Sequence, residues 1–153
     1  MNKPIDIVQK IRLFLLDAVK DLSAIELNEV PAGFNNNIIW NLAHLVAAQQ
    51  GICYLRSGVQ PVVDEKYLIP YRPGTRPGEF IDEDEIDIIK SLLLSSLEQL
   101  ETNVNANLFV NYTPWTTRYG VELSNIDEAL EFLPFHEGYH AGCITALKRL
   151  VHK

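Results

Sequence analysis

The stretch SNIDEALEFLPFHEGYHAGCITALKRLV, residues 124–151, decides the fold. Ala129, Phe132, Leu133, Cys143, Leu147 and Leu150 recur at helical spacing and define an apolar stripe. Ser124 with Asp127 gives a capping-box-like start, so the spacing predicts a helix over 124–151. A helix with one apolar stripe needs other helices to cover it. Pro134 falls inside the pattern, where it removes a helical hydrogen bond. Either the helix kinks just before His136 and opens the mouth of a site there, or it starts later than Ser124.

Three earlier segments carry the same periodicity. The first runs from about Pro4 to Asn28, with Ile5, Val8, Ile11, Leu15, Ala18 and Leu22 as its stripe. The second runs from about Asn36 to Ser57, with Asn35, Asn36 and Asn37 as candidate caps and Gly58 as its stop. The third runs from about Asp82 to Asn105; its acidic start, DEDEID, complements the positive end of the helix dipole. The connection between the second and third, Gly58 to Ile81, is long and holds Pro61, Pro70, Pro73 and Pro77, which suits a crossover. The last connection, Asn107 to Leu123, predicts a short hairpin turning near Arg118 to Gly120. The expected fold class is all-α: one domain over residues 1–153, a four-helix bundle with a long crossover between its second and third helices.

The composition of the 153 residues narrows the function. Hydrophobic residues at 47% and charged residues at 22% are globular values. A net charge of −7 argues against a nucleic-acid partner, which needs clustered Lys and Arg. Two cysteines, Cys53 and Cys143, make no disulfide framework, so a reducing, cytoplasmic setting is expected. The first residues, MNKPIDIVQKIRLFLLDAVKD, read as neither a secretory signal nor a membrane anchor, and no apolar run reaches the ~18 residues of a membrane span.

Three of the four histidines lie on apolar stripes. His136 and His140 are one turn apart and offset by about 40°, so both can face one metal ion. The alternative is two core histidines with buried hydrogen-bond partners. In the second helix, His44 shares a face with Asn37, Trp40, Ala48 and Gly51. Small residues beside a buried histidine leave room for a ligand or let a neighbouring helix approach. Asn37, Trp40 and Ala48 are the candidate substrate-pocket residues, and the segment from Tyr112 to Tyr119 is a candidate cover for the mouth. His44, His136 and His140 together would give three neutral nitrogen ligands and leave positions open, as catalytic zinc sites do. H-E-x-x-H also matches a zinc-protease pattern, but only thirteen residues follow His140 and no downstream ligand is available. A di-iron carboxylate site needs two E-x-x-H motifs, and Glu137 with His140 supplies one. Glu137 is either a candidate catalytic base or a solvent-facing residue, since it is rotated about 100° from His136. Cys143 is expected to pack beneath the site as a small hydrophobe, and His152 to be solvated.

WNLAHLVAAQQ and YGVELSNIDEALEFLPFHEGYHAGCITALKR, separated by the long crossover, resemble the DinB/YfiT-like superfamily of metalloenzymes. The resemblance implies an up-down-down-up four-helix bundle. It places the metal ligands on His44, His136 and His140, with zinc, nickel or iron as the divalent ion. It also implies chemistry on a small molecule, thiol transfer or isomerisation with a low-molecular-weight thiol; metal-assisted hydrolysis is the second reading of an open metal site. Homodimers are common in the family. The sequence departs from many relatives at Cys143, where they carry Gln. A non-catalytic bundle acting through a dimer surface is the different-class alternative, with Gly138 and Gly142 on a face away from the histidines.

Overall fold

The structure is a computed structural model, and it describes residues 2–152. Helix α1 spans Lys3–Val19, with Pro4 in its first turn and the Asn2 side chain accepting from the Ile5 N–H. The chain then bends into a short helix, α2 (Ala24–Asn28). The expected single helix over Pro4–Asn28 is therefore two. A reciprocal cap is the reason: Ser23 Oγ accepts from the Glu26 N–H at 3.2 Å, and Glu26 Oε2 accepts from the Ser23 N–H at 2.8 Å.

Helix α3 spans Ile38–Gln49, and all of its residues are buried. It continues through a π-helical turn at Gln50–Tyr54 and a 3-10 turn at Leu55–Ser57, ending on Gly58 at φ 66°. That left-handed conformation suits glycine. The cap is Asn37: its Oδ1 accepts from the Trp40 N–H at 2.8 Å, and its Nδ2 donates to the Asn28 carbonyl at 2.9 Å. Asn37→Ala removes both bonds, and we expect a loss of about 1–2 kcal/mol in urea denaturation. A loss within error of zero would show that the cap adds nothing.

The crossover carries two short 3-10 turns, Glu65–Tyr67 and Ile69–Tyr71. Asn28 pins its far end by exchanging two hydrogen bonds with the Ile81 backbone. Helix α4 (Glu83–Asn105) starts on an Asp82 cap with Glu83, Asp84 and Glu85 in its first turn. A two-stranded antiparallel hairpin follows, β1 (Trp115–Thr116) with β2 (Glu122–Leu123). Gly120, at φ 79°, sits in its turn.

Helix α5 spans Ile126–Val151. Its cap is Asn125 rather than Ser124: Asn125 Oδ1 accepts from the Glu128 N–H, and Glu128 returns a bond to the Ser124 N–H. Pro134 lies within one continuous helix, so the helix does not restart there and no stretch of non-helical backbone opens at the proline. The fold is all-α apart from the hairpin. Among the described residues, no helix is long and apolar enough to cross a membrane.

The four long helices pack side by side: α1 against α4 and α5, and α3 against α4 and α5. Their buried residues form two apolar clusters. One holds Leu15, Val19, Leu93, Ile144 and Leu147; the other holds Ile5, Val8, Leu97, Leu100, Leu130 and Leu133. Between them lies a polar layer the stripes did not predict. Arg12 and Glu137 are fully buried, at 0% and 1% exposure. The core positions of α1 are Ile5, Val8, Arg12, Leu15 and Val19. Those of α5 are Ala129, Leu130, Leu133, Glu137, His140, Ile144, Leu147 and Val151. Leu150, expected on the core stripe, is 47% exposed. The true stripe is rotated by about one residue, which brings Glu137 inward.

Arg12 joins all four long helices. Its Nη2 and Nε donate to Glu137 Oε1 on α5 at 2.6 and 3.1 Å. Its Nη1 donates to Gln49 Oε1 on α3 and to the Leu93 carbonyl on α4, both at 2.8 Å. Nη2 also donates to the Leu45 carbonyl at 3.3 Å. Gln49 Nε2 in turn donates to the Ser96 carbonyl on α4 at 3.0 Å.

Candidate metal centre

His44, His136 and His140 come together. One nitrogen from each lies within 4.8 Å of the others. His44 Nε2 and His136 Nε2 are 3.3 Å apart, and the His140 ring centroid is 4.6 Å from each of the other two. Helices α3 and α5 supply the three rings, and two of them, His44 and His140, are held from behind.

The tautomers follow from the partners. His44 Nδ1 lies 2.7 Å from the Tyr71 carbonyl, which can only accept, so Nδ1 carries the proton and Nε2 a lone pair. His140 Nδ1 lies 2.8 Å from Asn41 Oδ1. The Asn41 amide nitrogen already donates to the Asn37 carbonyl at 2.7 Å, so its oxygen accepts from His140. His140 Nε2 is therefore also a lone pair. Trp40 stacks on His44 with centroids 4.7 Å apart and planes 9° from parallel. The crossover thus fixes His44 through Tyr71, and α3 itself fixes His140 through Asn41.

Burial keeps the rings neutral. His136 is pushed down to about 3, first by burial and then by its neighbours His140 and His44, with Arg12 adding to it. His140 is pushed down to about 4 by burial and by His44. Burial also lowers His44, against the Tyr71 carbonyl. Neutral imidazoles with converging lone pairs are what a divalent ion requires. Tetrahedral bonds of about 2.05 Å put two ligand nitrogens about 3.3 Å apart, the separation found between His44 and His136. The donor set fits a metal ion.

The histidines open onto a cavity of about 710 Å³. Trp40 and Ala48 line it, as do Trp115, Thr117, Arg118 and Tyr119 from the hairpin segment. Gly51 lines it as well, and a Cβ built there would meet no atom within 4 Å. Asn37 does not line it. Its side chain is spent on the α3 cap and on α2, and it borders a separate, smaller cavity under the crossover. Glu137 does not line it either. As the partner of Arg12 it faces the helical core, which corrects its reading as solvent-facing or as a base at the site. Cys143 is half-buried in the cavity wall, and burial pushes its thiol up, which disfavours the thiolate. Gly138 and Gly142 are exposed, with nothing within 4 Å of a Cβ built on them. His152 is 47% exposed at its side chain and lies 3.1 Å from Glu26.

A family model described as the DinB superfamily matches residues 12–144. The chain belongs to the DinB superfamily. The matched span runs from Arg12 through all three histidines. No curated protein matches the chain. In this DinB-superfamily chain, sequence reasoning missed Asn41 and Tyr71 as the groups that orient the ligands. Asn41 was findable: it precedes His44 by three, on the same face and one turn from it. Tyr71 acts through a backbone carbonyl, and such a contact leaves no mark on residue type.

Proposed function

We propose that His44, His136 and His140 hold a divalent metal ion, and that the protein is a metal-dependent enzyme acting on a small molecule by thiol transfer. One observation carries this reading: three neutral imidazoles, two of them oriented by hydrogen bonds, converge at the wall of a roomy cavity with no carboxylate among them. A closed structural site would use four protein ligands. When bound, such an ion acts as a Lewis acid and lowers the pKa of a thiol or water beside it.

The chain's own residues do the rest. Trp40, Asn41 and the Tyr71 carbonyl keep the rings in place. Trp115, Tyr119, Phe132 and Tyr139 give the cavity apolar walls that limit water. In thiol transfer the sulfur of the small thiol attacks an electrophilic carbon. Its S–H proton passes to solvent, and the leaving group departs with its bonding pair. No protein base is needed, which agrees with Glu137 being committed to Arg12.

Residue pairs across the helices support an up-down-down-up order, with α5 set antiparallel to α3 by His44 beside His136 and Asn41 beside His140. Asn2 and Arg12 of α1 meet Glu101 and Leu93 of α4 respectively, an antiparallel pairing. Gln49 meets Ser96 and Tyr54 meets Asn103, a parallel pairing of α3 with α4.

Elemental analysis of protein purified without chelator or His tag, beside His44→Ala, tests the metal reading. We expect near-stoichiometric zinc, nickel or iron in the first and less than about a tenth of it in the second, with unchanged far-UV circular dichroism. No metal in either, after loading with each ion in turn, would overturn it.

A further inference from the structure

The cavity is charged in a way the rest of the molecule is not. Asp and Glu make up 20 of the 153 residues and the net charge is −7, yet no Asp or Glu lines the cavity. Three arginines do, and each comes from a different segment: Arg56 after the π turn of α3, Arg72 from the crossover and Arg118 from the hairpin turn. Among the described residues, none of the three pairs with a carboxylate within 4.0 Å. Arg56 instead lies over the Trp115 ring, its Cζ 4.4 Å from the centroid, and a cation–π contact uses none of its N–H donors.

A second observation points the same way. Gln50, fully buried, also lines the cavity. Its Oε1 accepts from the Val62 N–H at 2.9 Å, and this fixes the amide. Its Nε2 has no partner. A buried donor without an acceptor is costly to leave unmade, and at the cavity wall a ligand oxygen or a buried water would satisfy it.

We propose that the substrate or cosubstrate of this cavity is a small molecule bearing carboxylate groups, bound through Arg56, Arg72 and Arg118 with Gln50 as a further donor. Guanidinium groups read planar carboxylates by paired hydrogen bonds. A cavity of about 710 Å³ holds a molecule with a carboxylate end and a separate reacting end. The proposal deepens the thiol-transfer reading by naming the class of molecule, but anion binding itself does not depend on the metal.

The two tryptophans of the chain, Trp40 and Trp115, both line the cavity, so intrinsic fluorescence reports binding there. Chelator-treated protein is titrated with glutarate and with its uncharged counterpart glutaramide. The same pair is then run on Arg56→Gln, Arg72→Gln and Arg118→Gln, with Arg149→Gln on the outer surface of α5 as control. We expect glutarate to bind about tenfold more tightly than glutaramide, and each cavity variant to lose much of that preference. Arg149→Gln should keep it, and raising the salt from about 50 mM to about 500 mM should weaken glutarate alone. Equal binding of the two probes, or an equal loss in Arg149→Gln, would overturn the proposal. Because the protein is metal-free throughout, a negative elemental analysis defeats the metal reading and leaves this result standing, and the reverse holds too.

Discussion

Arg12→Met destabilises the protein by about 3–5 kcal/mol, a large share of a typical domain's stability. The reason is what the substitution leaves behind. Glu137 stays buried at 1% exposure with its charge uncompensated. Gln49 Oε1 loses the Arg12 donor, as do the Leu93 and Leu45 carbonyls. Glu137→Gln strands the guanidinium instead and also destabilises, by a smaller amount, because the amide oxygen can still accept from it. The informative variant is Arg12→Met with Glu137→Leu. Replacing both charges by apolar groups removes the stranded partner, so the double variant should be more stable than Arg12→Met alone. Urea denaturation of the unsubstituted protein, Arg12→Met, Glu137→Leu and the double variant gives the coupling energy. Additive losses in the double variant would show that the two side chains do not act as a pair.

Metal-free protein loses stability steadily as the pH falls from about 6.5 towards 4. His136 and His140 sit at about 3 and about 4 in the folded protein, down from 6.5. Between those values the unfolded chain takes up protons that the folded chain refuses, so acid favours unfolding. Each histidine contributes a slope of about 1.4 kcal/mol per pH unit, and the two together about 2.7. Exposed carboxylates act in the same direction at lower pH. Asp17 and Glu85 are held below their usual range chiefly by hydrogen bonds from Lys20 and Lys66, and Glu26 by the Ser23 backbone. Subtracting the profile of His136→Asn separates them, since that variant should lose the His136 share, about 1.4 kcal/mol per pH unit. A flat profile between pH 6.5 and 4.5 would mean that the rings are not buried as described.

The helices were readable because their stripes repeat over many turns. The residues that would hold a metal were readable because three histidines on apolar faces are rare. What escaped the sequence escaped for physical reasons. Ser23 and Glu26 start a new helix with two local hydrogen bonds, and these outweigh a hydrophobic period that runs straight across them. Arg12 and Glu137 occupy core positions that a stripe drawn only through apolar residues must skip. Each looks like a surface residue alone, and only the packing of α1 against α5 shows that they pair, through Glu137 Oε1. The cavity rim was hidden because its arginines are 16 and 46 residues apart along the chain (56 to 72, 72 to 118) and meet only through the crossover and the hairpin.

The π turn at Gln50–Tyr54 separates two jobs within one helix. A π turn is a single inserted residue absorbed without breaking the helix. His44 lies before it and Arg56 after it. Deleting one residue there would restore ordinary α-helical winding and turn the last helical residues before Gly58 by about 100°. Arg56 would leave the cavity, while His44 would keep its place beside His136 and His140. The cavity wall around Arg56 can therefore be redrawn by the gain or loss of one codon, while His44, before the π turn, keeps its place.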